Sequence, residues 1–369
     1  MKRIKLNKVR AGNNWRYLNQ MKKRRREKKN IDEAVAFSAS KVVSDITLSN
    51  SHSSLEYDCA SGCASNGPST SGGRHWTLSI ALPGSIYENA QSPELRSYLA
   101  GQVARAAAIF NVDEIIIFDE TAMLAEKDMC NPTNCNIAIA KLLEYVECPQ
   151  YLRKILFPLT PLLKNAGVMN PLDATHHVRA NDNVKYREAV TLNRPPKHGK
   201  GCYVNCGLYK DAMIDKVLKP GVRVTIEMLS QTEGSKKIRG HVVPPDEPRS
   251  TDGTYWGYRV RIANSLSSVF TGSPWNMAYD LTIGTSERGD NIHNLETGNL
   301  QFEHALVVFG GLKGLESCLE NDEKLSEDDP RLLFNHYVNV CPGQGSRTIR
   351  TEEAILITLS GLKGKLLPV

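Results

Sequence analysis

The chain has 369 residues, 41% apolar and 23% charged, which suits a folded protein of roughly two domains. No apolar run approaches the roughly 18–20 residues that cross a bilayer, and Met1-Lys-Arg-Ile-Lys opens without an apolar stretch, so neither a membrane span nor a secretory signal is expected. The net charge of +6 is uneven: residues 1–29 hold 13 Lys/Arg against one acid, leaving the remainder at −6.

The first 72 residues read as a disordered basic tail and linker. Lys22, Lys23, Arg24, Arg25 and Arg26 form a cationic block that suits a nuclear address and an RNA tether, and residues 47–73 are rich in Ser, Gly and Asn. Nine cysteines in a chain of this kind argue against a disulfide framework. The pairs Cys59/Cys63, Cys130/Cys135 and Cys202/Cys206 lack Cys-x-x-Cys spacing, so reduced thiols rather than zinc ligands are expected, and no metal site is assigned.

Folded sequence begins near Arg74. Trp76, Leu78, Ile80 and Leu82 alternate as in a strand, stopped by Pro83-Gly84. Ser92-Pro93 supplies an N-cap and first-turn proline for a helix carrying Leu95, Leu99, Val103, Ala106 and Phe110. Ile115–Phe118 is a short apolar run suited to a strand buried on both faces. Strand, helix and buried strand make a βαβ unit of a largely parallel sheet, and a helical stretch follows over 134–157. After Pro171 five short strands are expected, at Tyr186–Leu192, Gly201–Leu208, Ala212–Val217, Val222–Met228 and Arg239–Val243. They suggest a small OB-like barrel. Parallel-sheet character returns with strands at 281–284, 305–309 and 336–340, each running into a loop of small residues. Arg259 and Arg261 alternate on one strand beside Tyr258 and offer a cationic stripe for RNA.

The three loops are Gly284–Gly289, Phe309–Gly314 and Cys341–Arg347, and none is a phosphate loop or a Rossmann fingerprint. Together with the phrase Ile349-Arg-Thr-Glu leading into a last helix, they resemble the cofactor-facing segments of SPOUT (α/β-knot) RNA methyltransferases. Trp76–Gly84 and the unit after it resemble the subgroup with an inserted barrel. The resemblance covers about residues 74–369 and implies a mostly parallel, trefoil-knotted α/β sheet. It divides the chain into a first SPOUT part (73–170), an OB-like insert (171–247) and a second SPOUT part (248–369).

The resemblance further implies a homodimer that binds S-adenosylmethionine at the subunit interface and methylates RNA, most simply uridine N3 of ribosomal RNA. Thr285 and Ser286 would form one wall; Gly310 and Gly311 would admit the adenosyl group; Val340, Pro342, Gly343, Gln344 and Ile349 would complete the pocket. Arg288 is the candidate for stabilising a developing base anion, and Glu303, beside His304, a weaker candidate for general base. Nucleus or nucleolus is the expected location, with the cytoplasm or mitotic spindle as alternatives. The rival readings are an inactive scaffold that binds RNA in ribosome assembly or acts at the centromere, and a methyltransferase acting on protein arginine or glutamine.

Overall fold

The computed structural model describes residues 72–369 except 125–133, 195–200, 230–237, 276–277 and 326–328. The cationic block Lys22–Arg26, Cys59/Cys63 and Cys130 lie outside the described residues.

In chain order the elements are β1 (Thr77–Pro83), α1 (Pro93–Ile109), β2 (Glu114–Phe118), α2 (Cys135–Glu147) and α3 (Gln150–Leu156). The strands β3 (Tyr186–Thr191), β4 (Cys202–Asn205), β5 (Ala212–Ile214), β6 (Arg223–Met228) and β7 (Arg239–Val243) follow. Then come α4 (Glu247–Asp252), β8 (Arg259–Ala263), α5 (Leu266–Thr271), β9 (Leu281–Asn291), β10 (Leu300–Phe302) and β11 (His304–Val308). The chain ends in α6 (Gly314–Asn321), β12 (His336–Asn339), α7 (Thr351–Leu362) and β13 (Leu366–Pro368).

Six strands make the main sheet in the order β12-β9-β11-β1-β2-β8, and every neighbouring pair is parallel. Alternation alone would suit a half-exposed β1, yet all seven of its residues are buried, because the strand lies mid-sheet with helices on both faces. Helices α1, α2 and α7 cover one face through Leu99, Val103, Ile139, Leu142, Ile355 and Leu359, while α5 and α6 pack on the other side. Ser92 caps α1 by accepting from the Leu95 amide at 3.3 Å. The helix expected over 134–157 is two, because Pro149 cannot donate to the preceding turn and α3 restarts after it. The order runs outward from β1 through β2 to β8, then crosses over to β9, β11 and β12, so the switch in direction falls beside β1.

Between β2 and β8 the chain builds a closed five-stranded barrel in the order β3-β4-β5-β7-β6. Its pairs are antiparallel except β5 with β7. Ala189, Val204, Ala212, Ile214 and Ile226 fill the interior. A buried charged cluster ties it to the sheet domain. Glu147, the last residue of α2, accepts from Arg223 of β6 through both oxygens (2.6 and 2.9 Å), and Arg223 Nε reaches Glu188 of β3 at 2.6 Å. Glu188 also accepts from Thr225 (2.6 Å) and from Trp256 Nε1 (2.7 Å), beyond the barrel. His176 and His177 both meet the Glu147 carbonyl through Nε2, at 2.9 and 2.7 Å, and His176 Nε2 is also 3.0 Å from a Glu147 carboxylate oxygen. Those partners only accept, so each Nε2 carries the proton.

Candidate active site

A cleft of about 1060 Å³ opens at the carboxyl ends of β9, β11 and β12, where parallel strands deliver ligands. Its walls come from residues 285–288, 309–314, 339–341, 344 and 348–354, with Leu95, Tyr98 and Gln102 of α1 opposite.

The first segment is not a free loop, as its composition suggests. It is an excursion within β9: Gly284 pairs with Tyr337, but the next partners are Asp290 and Val338, so residues 285–289 bulge out over the cleft. The two flanking glycines serve packing. A Cβ on Gly284 would stand 2.5 Å from the Phe334 ring, and one on Gly289 would stand 2.4 Å from the Val338 backbone. Thr285 donates to the Val308 carbonyl at 3.1 Å, joining the excursion to β11, and the Ser286 hydroxyl accepts from the Arg288 amide at 3.2 Å.

Arg288 lines the cleft with its side chain 74% exposed. Its Nη1 lies 3.6 Å from Glu316 Oε1, a long pair at this exposure and worth little. The Arg331 guanidinium donates to the Arg288 carbonyl at 2.8 Å and steadies the backbone. Glu316 also accepts from Tyr337 Oη at 3.3 Å; burial, with the carboxylate's charge beside it, pushes the Tyr337 phenol up to about 12.

Gly310 and Gly311 form the floor after β11. A Cβ on Gly311 would come within 2.0 Å of Glu120 Oε1, and Ser85 donates to the other oxygen of that carboxylate. Gly311 is therefore small to accommodate Glu120 as well as anything in the cleft, and Glu120 was not legible from its loop in the sequence. Thr351, the first residue of α7, donates to the Gly310 carbonyl at 3.2 Å, and the Arg350 amide donates to Glu353. The first bond holds the final segment against the floor, and the second caps the start of α7.

The expected residues divide as follows. Thr285, Ser286, Arg288, Gly310, Gly311, Val340, Gln344 and Ile349 share the one cleft. Pro342 and Gly343 do not line it; they form a turn in which Gly343 takes φ +74°, so its glycine answers a backbone need. Glu303 stands at the opposite end of the sheet, because it precedes β11 and the cleft follows it. The Glu303 amide donates to Asp280 at 2.8 Å, and His304 meets Thr77 Oγ1 at 2.9 Å with its ring stacked on Trp275. Some five residues of strand, about 16 Å, separate it from the cleft, which removes Glu303 as the base.

The cationic stripe also needs correction. Arg261 binds Glu114 at 2.9 Å, the Ser268 and Val269 carbonyls, and Tyr279 Oη, so its donors are taken up inside the fold. Arg259 alone of the two is exposed. Cys135, Cys202 and Cys206 are free thiols, and among the described residues no three His, Cys, Asp or Glu gather as metal ligands would.

The cleft's chemistry fits a nucleoside carrying positive charge. Gly310, Gly311, Val340 and Ile349 give small or apolar walls for a flat base, and the carboxylates of Glu287 and Glu316 face the same space.

A family model described as "Putative RNA methyltransferase" matches residues 77–362. The chain belongs to this family. That agrees with the SPOUT-class resemblance of its three loops. A Drosophila melanogaster protein named 28S rRNA (uridine-N(3))-methyltransferase is 52% identical over 305 residues, which cover 79% of this chain and 63% of that protein. The chain therefore spans less than two thirds of that relative. A Homo sapiens protein of the same name is 52% identical over 298 residues, covering 79% of each. The solved structure of the SpoU methyltransferase AviRb from Streptomyces viridochromogenes, in complex with AdoMet, aligns at 11% identity and a TM-score of 0.25 over 79% of this chain and 58% of that one. That is too distant to inform the site.

Proposed function

We propose that this protein transfers a methyl group from S-adenosylmethionine to uridine N3 of large-subunit ribosomal RNA. The observation that carries the reading is the cleft itself: small and apolar residues of three strand-end loops, with Glu287 and Glu316 among its lining and the exposed guanidinium of Arg288 at its edge. The names of the Drosophila and human relatives, each 52% identical, supply the RNA and the acceptor atom.

When bound, S-adenosylmethionine supplies an activated methyl group with its own leaving group. The chain's work is then orientation and charge. Gly310 and Gly311 would admit the flat base of the nucleoside and Val340 and Ile349 would flank it, while Thr285 and Ser286 fix the excursion that carries Arg288. Uridine N3 is a weak acid: loss of its proton to solvent leaves negative charge on the base, and that charge needs stabilising until the new N–CH3 bond cancels it. Arg288 is held only loosely by Glu316 and can turn to that charge at little cost.

Three further features belong to this reading. The barrel is OB-like and is inserted at 171–247 between SPOUT parts 73–170 and 248–369. Strand order first-second-third-fifth-fourth, closed by a parallel third-fifth pair, supports it. The segment after β12 is threaded as a trefoil knot, a reading supported by the anchoring of Thr351 to the Gly310 carbonyl. Two copies pair at the cleft. Exposed Leu95 and Tyr98 on α1, beside the final segment, support that arrangement. The basic block at 22–29 suits a nuclear location.

Single-turnover transfer of labelled methyl to ribosomal RNA tests the reaction. Wild type should transfer, and Arg288→Ala should be slower by roughly 10²–10³-fold, as for loss of one oxyanion donor. Transfer at the wild-type rate by the variant would remove Arg288 from the mechanism.

A further inference from the structure

The barrel differs in charge from the rest of the folded chain. Residues 186–243 carry eleven Lys/Arg against five acids, a net of +6, whereas residues 30–369 as a whole stand at −6. The barrel is thus a cationic body set in an acidic one. On its outer surface lies a second cleft, of about 340 Å³, separate from the methyl-transfer site. Its size is at the lower end of the roughly 300–1,000 Å³ range of small-molecule sites, enough for a base or two and too small for a duplex.

Two aromatic rings and a guanidinium line it. Tyr203 of β4 carries the Arg194 guanidinium carbon 4.6 Å from its ring centroid, and Asp211 holds Arg194 at 3.4 Å. Tyr209, in the β4–β5 connection, is 82% exposed, and its hydroxyl donates to Asn181 Oδ1 at 3.2 Å. That bond holds one end of the ring and leaves its faces in solvent. Lys210 follows it, and Met213, paired with Tyr203 across β4–β5, supplies a polarisable floor. Exposing a fixed tyrosine ring has no benefit to folding, since the apolar faces remain wet. Stacking planes beside cations are what single-stranded nucleic acid binds, because every base offers a π-face and every linkage a phosphate.

We propose that the cleft at Arg194, Tyr203, Tyr209 and Lys210 is a second RNA site, which stacks one or two unpaired bases of the substrate strand. Occupancy by RNA rests on the reading of the chain as an RNA methyltransferase. The charge of the barrel favours it over an uncharged partner.

The test uses the full chain and two fluorescent probes: a single-stranded oligouridylate of about twelve nucleotides, within the ~4–16 nucleotide footprint of such barrels, and an abasic strand with the same number of phosphates. The two strands offer the same phosphates, so their difference reports contacts to the bases, and the Tyr209 variant separates this cleft's share from that of the methyl-transfer site. Wild type should prefer the oligouridylate. Tyr209→Ala should weaken oligouridylate binding about 5- to 150-fold, the range for losing one stacked base, and leave the abasic strand unaffected. Tyr209→Phe should keep the affinity. Lys210→Ala should flatten the logarithmic salt slope by about 0.7.

Equal binding of the two probes by wild type, or no effect of Tyr209→Ala, overturns the proposal. Displacement of the oligouridylate by polyglutamate as effectively as by unlabelled RNA would also overturn it, in favour of an acidic protein partner. S-adenosylhomocysteine binding is measured calorimetrically on the same preparations. Its absence in wild type would sink the methyltransferase reading while the stacking result stood or fell separately.

Discussion

Replacing Glu147 by glutamine removes one charge from the cluster that joins barrel to sheet domain and changes almost no volume. Glu147 is 6% exposed. Burial alone would raise its carboxyl, but the Arg223 guanidinium and His176 hold it well below the usual carboxylate range. Breaking a buried pair by removing one partner costs about 3–5 kcal/mol. Here the lower end applies, because Arg223 keeps Glu188 at 2.6 Å and its side chain is 30% exposed. A loss of about 3 kcal/mol should lower the melting temperature by roughly 6–12 °C at ~2–4 °C per kcal/mol. Urea unfolding followed by circular dichroism and by tryptophan fluorescence reads it, since Trp256 donates to the same Glu188. The double variant Glu147→Gln/Arg223→Met should recover part of the loss, as hydrophobic replacement of a whole pair does. A single-variant cost below about 1 kcal/mol would refute the clamp, since it would match a solvated surface pair.

The same cluster sets a pH dependence. Burial, and the neighbouring His176, push His177 down to about 4 from 6.5. Between those values the unfolded chain binds the proton and the folded one does not, so stability rises with pH across pH 4–6.5 and is flat above. Glu147 acts in the same direction at lower pH: its contribution is present above the ordinary carboxylate range and is lost as pH falls through its depressed value. His177→Gln should therefore flatten the urea midpoint over pH 4–6.5. Gly311→Ala should reduce S-adenosylhomocysteine affinity through the clash with Glu120, and Glu120→Ala should restore it; failure of that rescue would mean the ligand itself needs the space. Light scattering should give twice the chain mass of 40.9 kDa, and a strict monomer at micromolar concentration would remove the paired-cleft reading.

Much of the architecture was legible because period and punctuation are local. The Ile115–Phe118 run suits a strand covered on both faces, Ser92-Pro93 starts α1, and Gly and Pro turns cut the barrel into its five strands. The loops that form the cleft were legible because each follows a short apolar strand. What escaped depends on partners distant in sequence. Arg261 looked like a surface cation until Glu114, 147 positions away, was seen to take it. Glu303 was misplaced because composition does not say which end of a strand meets the ligand. The bulge in β9 is a matter of register with β12, and Glu147 met Arg223 only once the barrel had folded back onto α2. Glu120 carried no pattern at all; its role is visible only from the space that Gly311 leaves.

Nucleoside mass spectrometry of large-subunit ribosomal RNA tests the central claim most directly. Cells lacking the protein are compared with cells given back either wild type or Gly311→Arg, whose side chain would fill the cleft floor. The account predicts that 3-methyluridine falls in the depleted cells, returns with wild type and stays low with the variant. An unchanged 3-methyluridine level on depletion, or full restoration by Gly311→Arg, would contradict it.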